Sequence, residues 1–95
     1  MLKVEKILFI TPYKIHCLFN NGIEKTIDVF PLLEKHKNLK GIDKLKDPIV
    51  FNSAKIGSFG EIYWENIIQN KTSPELWNYD ISPEFIFYNE FTEVS

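Results

Sequence analysis

The run Lys14-Ile15-His16-Cys17-Leu18-Phe19, followed by Asn20-Asn21-Gly22 and then Ile23-Glu24-Lys25-Thr26-Ile27-Asp28-Val29, constrains the fold more than any other stretch of the chain. Apolar and polar residues alternate on both sides of a turn signal, the period of a half-buried strand, so the segment reads as a β-hairpin. Two registers compete. A two-residue Asn21-Gly22 loop sets Phe19 opposite Glu24 and Ile15 opposite Asp28, mixing apolar and charged side chains on one face. A three-residue loop, a type I turn closed by Gly22 in the left-handed region, sets Phe19 opposite Ile23, Ile15 opposite Ile27 and Tyr13 opposite Val29. Its other face pairs Lys14 with Asp28 and His16 with Thr26, and cross-strand pairs of this kind contribute roughly 0.2 to 1 kcal/mol each. The second register is expected, with Lys25, opposite Cys17, as the polar exception on the buried face.

Val4 to Ile10 reads as a preceding strand ended by Thr11-Pro12, because proline cannot donate to a ladder. With the hairpin it makes an antiparallel three-stranded meander. Pro31-Leu32-Leu33-Glu34-Lys35-His36-Lys37 opens with a proline suited to a helix start and is expected to run as a short helix until Gly41 breaks it. Asp47-Pro48-Ile49-Val50-Phe51 has an N-cap aspartate and predicts one helical turn that buries Phe51. Ala54 to Ile56 and Glu61 to Trp64 flank Gly57-Ser58-Phe59-Gly60 as a second hairpin, with Ile62 and Trp64 on one face and Ala54 and Ile56 as their partners. Asn66 to Thr72 reads as a loop. Ser73-Pro74-Glu75 and Ser82-Pro83-Glu84 carry the same cap, proline and first-turn acid, each leading into apolar residues. The fold class that follows is α+β, a meander plus a second β-hairpin with short proline-initiated helices, in one domain over residues 1–95 with a frayed tail at 90–95.

At 44% hydrophobic and 15% aromatic residues, the chain can build a core without disulfides or metal. Its single cysteine, Cys17, lies on the buried face of the hairpin and reads as a small core residue. No apolar run is long enough to cross a bilayer and no secretory signal opens the chain, so a cytoplasmic location is expected. For the same reason Asn70-Lys71-Thr72 is taken as a chance match to the glycosylation tripeptide.

Chemistry finds little purchase. His16 and His36 fall on different elements with no second ligand at metal spacing, and His16 and Cys17 point to opposite sides of one strand. No nucleophile elbow or phosphate-cradling loop accompanies Ser53, Ser58, Ser73 or Ser82. Asp28 with Glu61 or Glu65 could form a carboxylate pair, yet acids at strand ends and in loops are ordinary. No catalytic residue, metal or cofactor is expected, and the chain is read as not an enzyme.

Charge is more informative. Residues 1–46 hold nine lysines against five acids, a net +4, and residues 47–95 hold two lysines against eight acids, a net −6. The basic half concentrates Lys35, Lys37, Lys40, Lys44 and Lys46, but all eleven basic residues are lysine, so there is no guanidinium fork to read a base edge. The acidic half mixes Tyr63, Trp64, Trp77, Tyr79, Phe85, Phe87 and Tyr88 with Glu61, Glu65, Glu75, Asp80 and Glu84. A domain this small buries most of those rings but not all of them, and exposed aromatics rimmed by acids suit a basic protein partner.

The order of these signals resembles a family. The strand, Phe19-Asn20-Asn21-Gly22, the strand ending in Asp28, Pro31-Leu32-Leu33, Leu45-Lys46-Asp47-Pro48-Ile49-Val50-Phe51, Ile62-Tyr63-Trp64 and Asp80-Ile81-Ser82-Pro83-Glu84-Phe85 together resemble the bacterial domain-of-unknown-function family 2442, across residues 4–88. Family members carry the Asp-x-x-Pro segment soon after the tryptophan, whereas here the fifteen residues Glu65 to Tyr79 intervene. The resemblance implies a small α+β fold, no enzymatic activity, no cofactor and a role beside a companion small protein of toxin and antitoxin type. The leading expectation is a non-enzymatic interaction module that binds a basic partner through its acidic aromatic half, with Glu65, Glu75, Trp77, Tyr79 and Asp80 as the partner surface. The alternative is a nucleic-acid accessory domain acting through the lysines between 35 and 46.

Overall fold

The computed structural model describes residues 1–89; the tail expected at 90–95 lies outside the described residues. Strands β1 (Val4–Thr11), β2 (Lys14–Phe19) and β3 (Glu24–Asp28) form an antiparallel sheet in that order. The hairpin takes the three-residue register: Lys14 pairs with Asp28, Ile15 with Ile27, His16 with Thr26 and Cys17 with Lys25. Gly22 supplies the left-handed turn residue at φ 83°. The Phe19 N–H donates to the Ile23 carbonyl at 2.9 Å and Val29 to Tyr13 at 2.8 Å. Ile15, Cys17, Phe19, Ile27 and Val29 are all buried. Ile23 is the exception to the expected face: it lies past the last ladder pair, where the turn carries it off the core, and is 45% exposed. Strand β1 shifts register against β2 twice, around Glu5 and Leu8, so Ile7 and Ile10 turn inward while Leu8 and Phe9 stay exposed.

Three short helical pieces follow. Helix α1 (Phe30–Lys35) starts one residue before the proline, with the Asp28 carboxylate accepting from the Phe30 N–H at 3.1 Å, and buries Leu32 and Leu33. It ends at His36, well short of Gly41, and a 3-10 helix that the pattern did not suggest, Ile42–Lys46, buries Ile42 and Leu45. Helix α2 (Pro48–Phe51) is the expected single turn, with Asp47 accepting from the Ile49 N–H at 2.9 Å and Phe51 fully buried.

The second hairpin grows into a sheet. Strands β4 (Lys55–Ile56), β5 (Ile62–Gln69) and β6 (Leu76–Ile81) are antiparallel neighbours in that order. Ile62 and Trp64 share the buried face as expected. The expected loop at 66–72 is corrected: β5 continues to Gln69 through a bulge at which Asn66 takes a left-handed φ of 56°, so Ile67 and Ile68 are both buried although adjacent. Ser73-Pro74-Glu75 starts no helix, because the residues after it are drawn into pairing with β5 and its Ser73 hydroxyl instead accepts from the Glu75 N–H at 3.2 Å. Ser82-Pro83-Glu84 does open a helix, α3 (Pro83–Tyr88), capped by Ser82 accepting from the Phe85 N–H at 3.1 Å.

One apolar cluster joins both sheets to the helices, from Ile15, Cys17 and Phe19 to Leu33, Leu45, Phe51, Ile62, Trp64 and Ile86. The Trp64 indole donates to the Phe51 carbonyl at 2.9 Å, and its ring lies 5.5 Å from that of Phe51 and 6.1 Å from that of Tyr79. The sheets also touch directly, since Val4 at the start of β1 donates to the Gly60 carbonyl at 3.0 Å beside β4. Helix α3 packs against the turn end of the hairpin, with Phe87 edge-on to Phe19 at 5.2 Å and the Lys25 ammonium 4.6 Å above the Phe87 ring. No helix among the described residues is long and apolar enough to cross a membrane.

Candidate partner-binding surface

Alternation in β5 that drives Ile62 and Trp64 inward turns Glu61, Tyr63 and Glu65 outward, and the same period in β6 turns Asn78 and Asp80 outward opposite buried Tyr79 and Ile81. Pairing of Tyr63 with Asp80 brings these residues into one open groove of about 330 Å³, lined by Ser58, Glu61, Tyr63, Glu65, Asn78 and Asp80. Asn66 joins through its N–H, which donates to the Asn78 side chain at 3.2 Å. A second depression of about 330 Å³, lined by Phe59, Pro83, Ser82 and Glu84, shares Glu61 and Asp80 with the first. The two carboxylates therefore stand between a polar hollow and a more apolar one.

Two of the acids have local duties. Glu61 accepts from the Phe59 N–H at 3.0 Å and so ties down the Gly57–Gly60 loop. Lys55 donates to Glu65 at 3.0 Å, and that hydrogen bond, with the attraction of the carboxylate, raises the lysine's pKa above its ordinary value. Lys55 offsets only one of the three groove carboxylates. The surface stays anionic.

The expected partner surface is only partly assembled here. Glu65 and Asp80 line the groove together. Tyr79 is corrected to a core residue: it is 7% exposed, its hydroxyl lies 2.9 Å from His36 Nδ1, and burial followed by the neighbouring Asp80 charge raises its pKa. Trp77 shares the alternation of Tyr79, not of Asp80, and is 56% exposed beyond the end of the core. Glu75 sits at the β5–β6 turn in a separate hollow with Gln69, Asn70 and Leu76. The aromatics beside the groove acids are thus Tyr63 and Phe59. The period-2 run Glu61, Tyr63, Glu65 was the signal that could have found the face.

The lysine candidates are spread over α1, the loop behind it and the 3-10 helix. Lys46 lies 3.8 Å from Glu34 and 3.7 Å from Asp43, with its ammonium 5.9 Å from the Phe30 ring, so part of the patch is neutralised internally. Lys35 lines a different cleft, beside His36 and Asp80, while Lys37, Lys40 and Lys44 are exposed. Asp28, weighed against the ordinary reading as a carboxylate partner of Glu61 or Glu65, accepts from the Phe30 N–H just before α1 and does not line the groove. His16 is held between Thr26, 2.6 Å from Nδ1, and Glu24, 2.7 Å from Nε2, with Phe9 stacked on it at 4.7 Å. Among the described residues no three His, Cys, Asp or Glu side chains converge as a metal site would require.

Comparison with protein families, curated proteins and solved structures returns no match for this chain.

Proposed function

We propose that this protein is a non-enzymatic interaction module whose acidic second sheet receives a basic protein partner. The observation that carries the reading is the convergence of Glu61, Glu65 and Asp80 in one groove that continues into an apolar hollow at Phe59 and Pro83. A partner that presents lysine or arginine beside an apolar side chain answers both parts. Complementary charge speeds the encounter and selects the partner, and the apolar contact slows its release. The companion small protein implied by the family resemblance is a partner of fitting scale.

The test compares the wild-type chain with a Glu65→Lys/Asp80→Lys variant as bait in an extract of the native host. Basic proteins are expected on the wild-type bait, to be lost on the variant and to be released at about 0.5 M salt, where the Debye length falls to a few Å. Recovery of the same proteins by both baits would refute the reading.

A further inference from the structure

The four outer strands of the two sheets are protected very unequally. Natural sheet edges are blunted by bulges, proline, lysine, brevity or a covering element, because unpaired backbone groups template pairing with another chain. Strand β1 carries two register shifts and Lys6, β4 is only two residues long and touches β1, and β3 carries Lys25 and packs against α3. Strand β6 has fewer of them, its one charged side chain being Asp80. Its sequence, Leu-Trp-Asn-Tyr-Asp-Ile, holds no proline or lysine over six residues, and the bulge of its sheet lies on β5. Among the described residues its backbone pairs with β5 and with nothing else.

A cleft of about 290 Å³ runs beside that edge. Tyr79, Asp80 and Ile81 line it together with His36 and Ser82, so it borders the last three residues of β6, where the strand turns into α3. Leu32 and Lys35 of α1 form the opposite wall and Phe85 of α3 closes one end. We infer that β6 accepts an extended, basic segment of the partner as an added strand, a proposal that rests on the reading above and specifies how the partner docks.

Charge selects the occupant. From Thr72 to the end of the chain there is no lysine, arginine or histidine, while Glu75 precedes β6, Asp80 lies in it and Glu84 follows it. A second copy would bring the same acids, Glu75, Asp80 and Glu84, to this edge, whereas a basic strand meets them with opposite charge. Lys35 is the cleft's one lysine and opposes the basic segment, so its removal tightens binding. Main-chain pairing supplies affinity in such strand addition and alternate side chains supply selectivity.

The experiment uses the full chain, an eight-residue alternating Val-Lys peptide, its Val-Glu counterpart, and the Val-Lys peptide with every backbone nitrogen methylated. Amide exchange is followed by NMR. The Val-Lys peptide is expected to slow exchange of the β6 amides at least tenfold, the methylated and acidic peptides to leave it unchanged, Asp80→Lys/Glu84→Lys to abolish the effect and Lys35→Ala to strengthen binding several-fold. Equal binding of the plain and methylated basic peptides with unchanged β6 exchange overturns strand addition and leaves the acidic-surface reading standing. No binding by either basic peptide removes both. Slow β6 exchange without peptide, together with a dimer in sedimentation, gives the edge to a second copy and overturns the proposal.

Discussion

Cys17 is fully buried between Ile7 of β1 and Lys25 of β3, and burial pushes its thiol from 9.0 up to about 11. The sign of the resulting pH dependence is fixed. Below about 9 both states keep the proton and the contribution is fully present; between there and about 11 the unfolded chain releases it while the folded chain holds it, so stability falls as pH rises. Two pKa units correspond to about 2 to 3 kcal/mol. Urea unfolding at pH 8 and pH 11 is expected to give a larger loss for the wild type than for Cys17→Ala, the comparison removing Tyr79, which is shifted in the same direction. Iodoacetamide at pH 8 should leave the native thiol unmodified. Trp64 is the other residue on which much depends: Trp64→Phe forfeits the bond to the Phe51 carbonyl and leaves a void in a fully buried site, at an expected cost of about 2 to 4 kcal/mol by denaturant titration.

At the scale of elements, identical local codes end differently. Ser73-Pro74-Glu75 and Ser82-Pro83-Glu84 both offer a cap, a proline and an acid, yet only the second opens a helix, because pairing with β5 claims the residues after the first. Likewise Asn66-Ile67-Ile68 lacks strand alternation because a bulge turns both isoleucines inward, a choice made by the core and not by propensity. The capped turn α2 was legible since Asp47 acts on its own neighbours; Asp47→Ala is expected to lower stability by about 1 kcal/mol in urea titration. Two glycines separate local from tertiary demand. Gly22 has open space around a built Cβ, so Gly22→Ala should cost about 1 to 2 kcal/mol from its left-handed φ alone. Gly41 has a positive φ and is also pressed against the Ile67 carbonyl, so Gly41→Ala should cost clearly more in the same titration.

Across the whole molecule, both sheets contribute to a single apolar cluster. Heat unfolding followed by tryptophan fluorescence, which includes Trp64 of the second sheet, and by far-ultraviolet circular dichroism is therefore expected to give coincident curves; two separated transitions would mean that the sheets unfold independently. Charge divides along the chain, but the fold reshapes it. Lys46 is tied to Glu34 and Asp43 in the basic half, while Glu61 and Glu65, near each other along β5, are joined by Asp80 of β6 in one groove. That groove is a surface that no single segment encodes.

Hairpin register, the caps at Asp47 and Ser82 and the burial of Cys17 were determined by sequence alone, since each depends on residues within a few positions of one another or on strict alternation across one turn. The pairing of β6 with β5, the burial of Tyr79 against His36 and the assembly of the acidic groove were decided only by tertiary structure. Local chemistry can specify a turn or a cap, but which strand completes a sheet, and so which side chains are left facing water together, is settled by competition for one shared core.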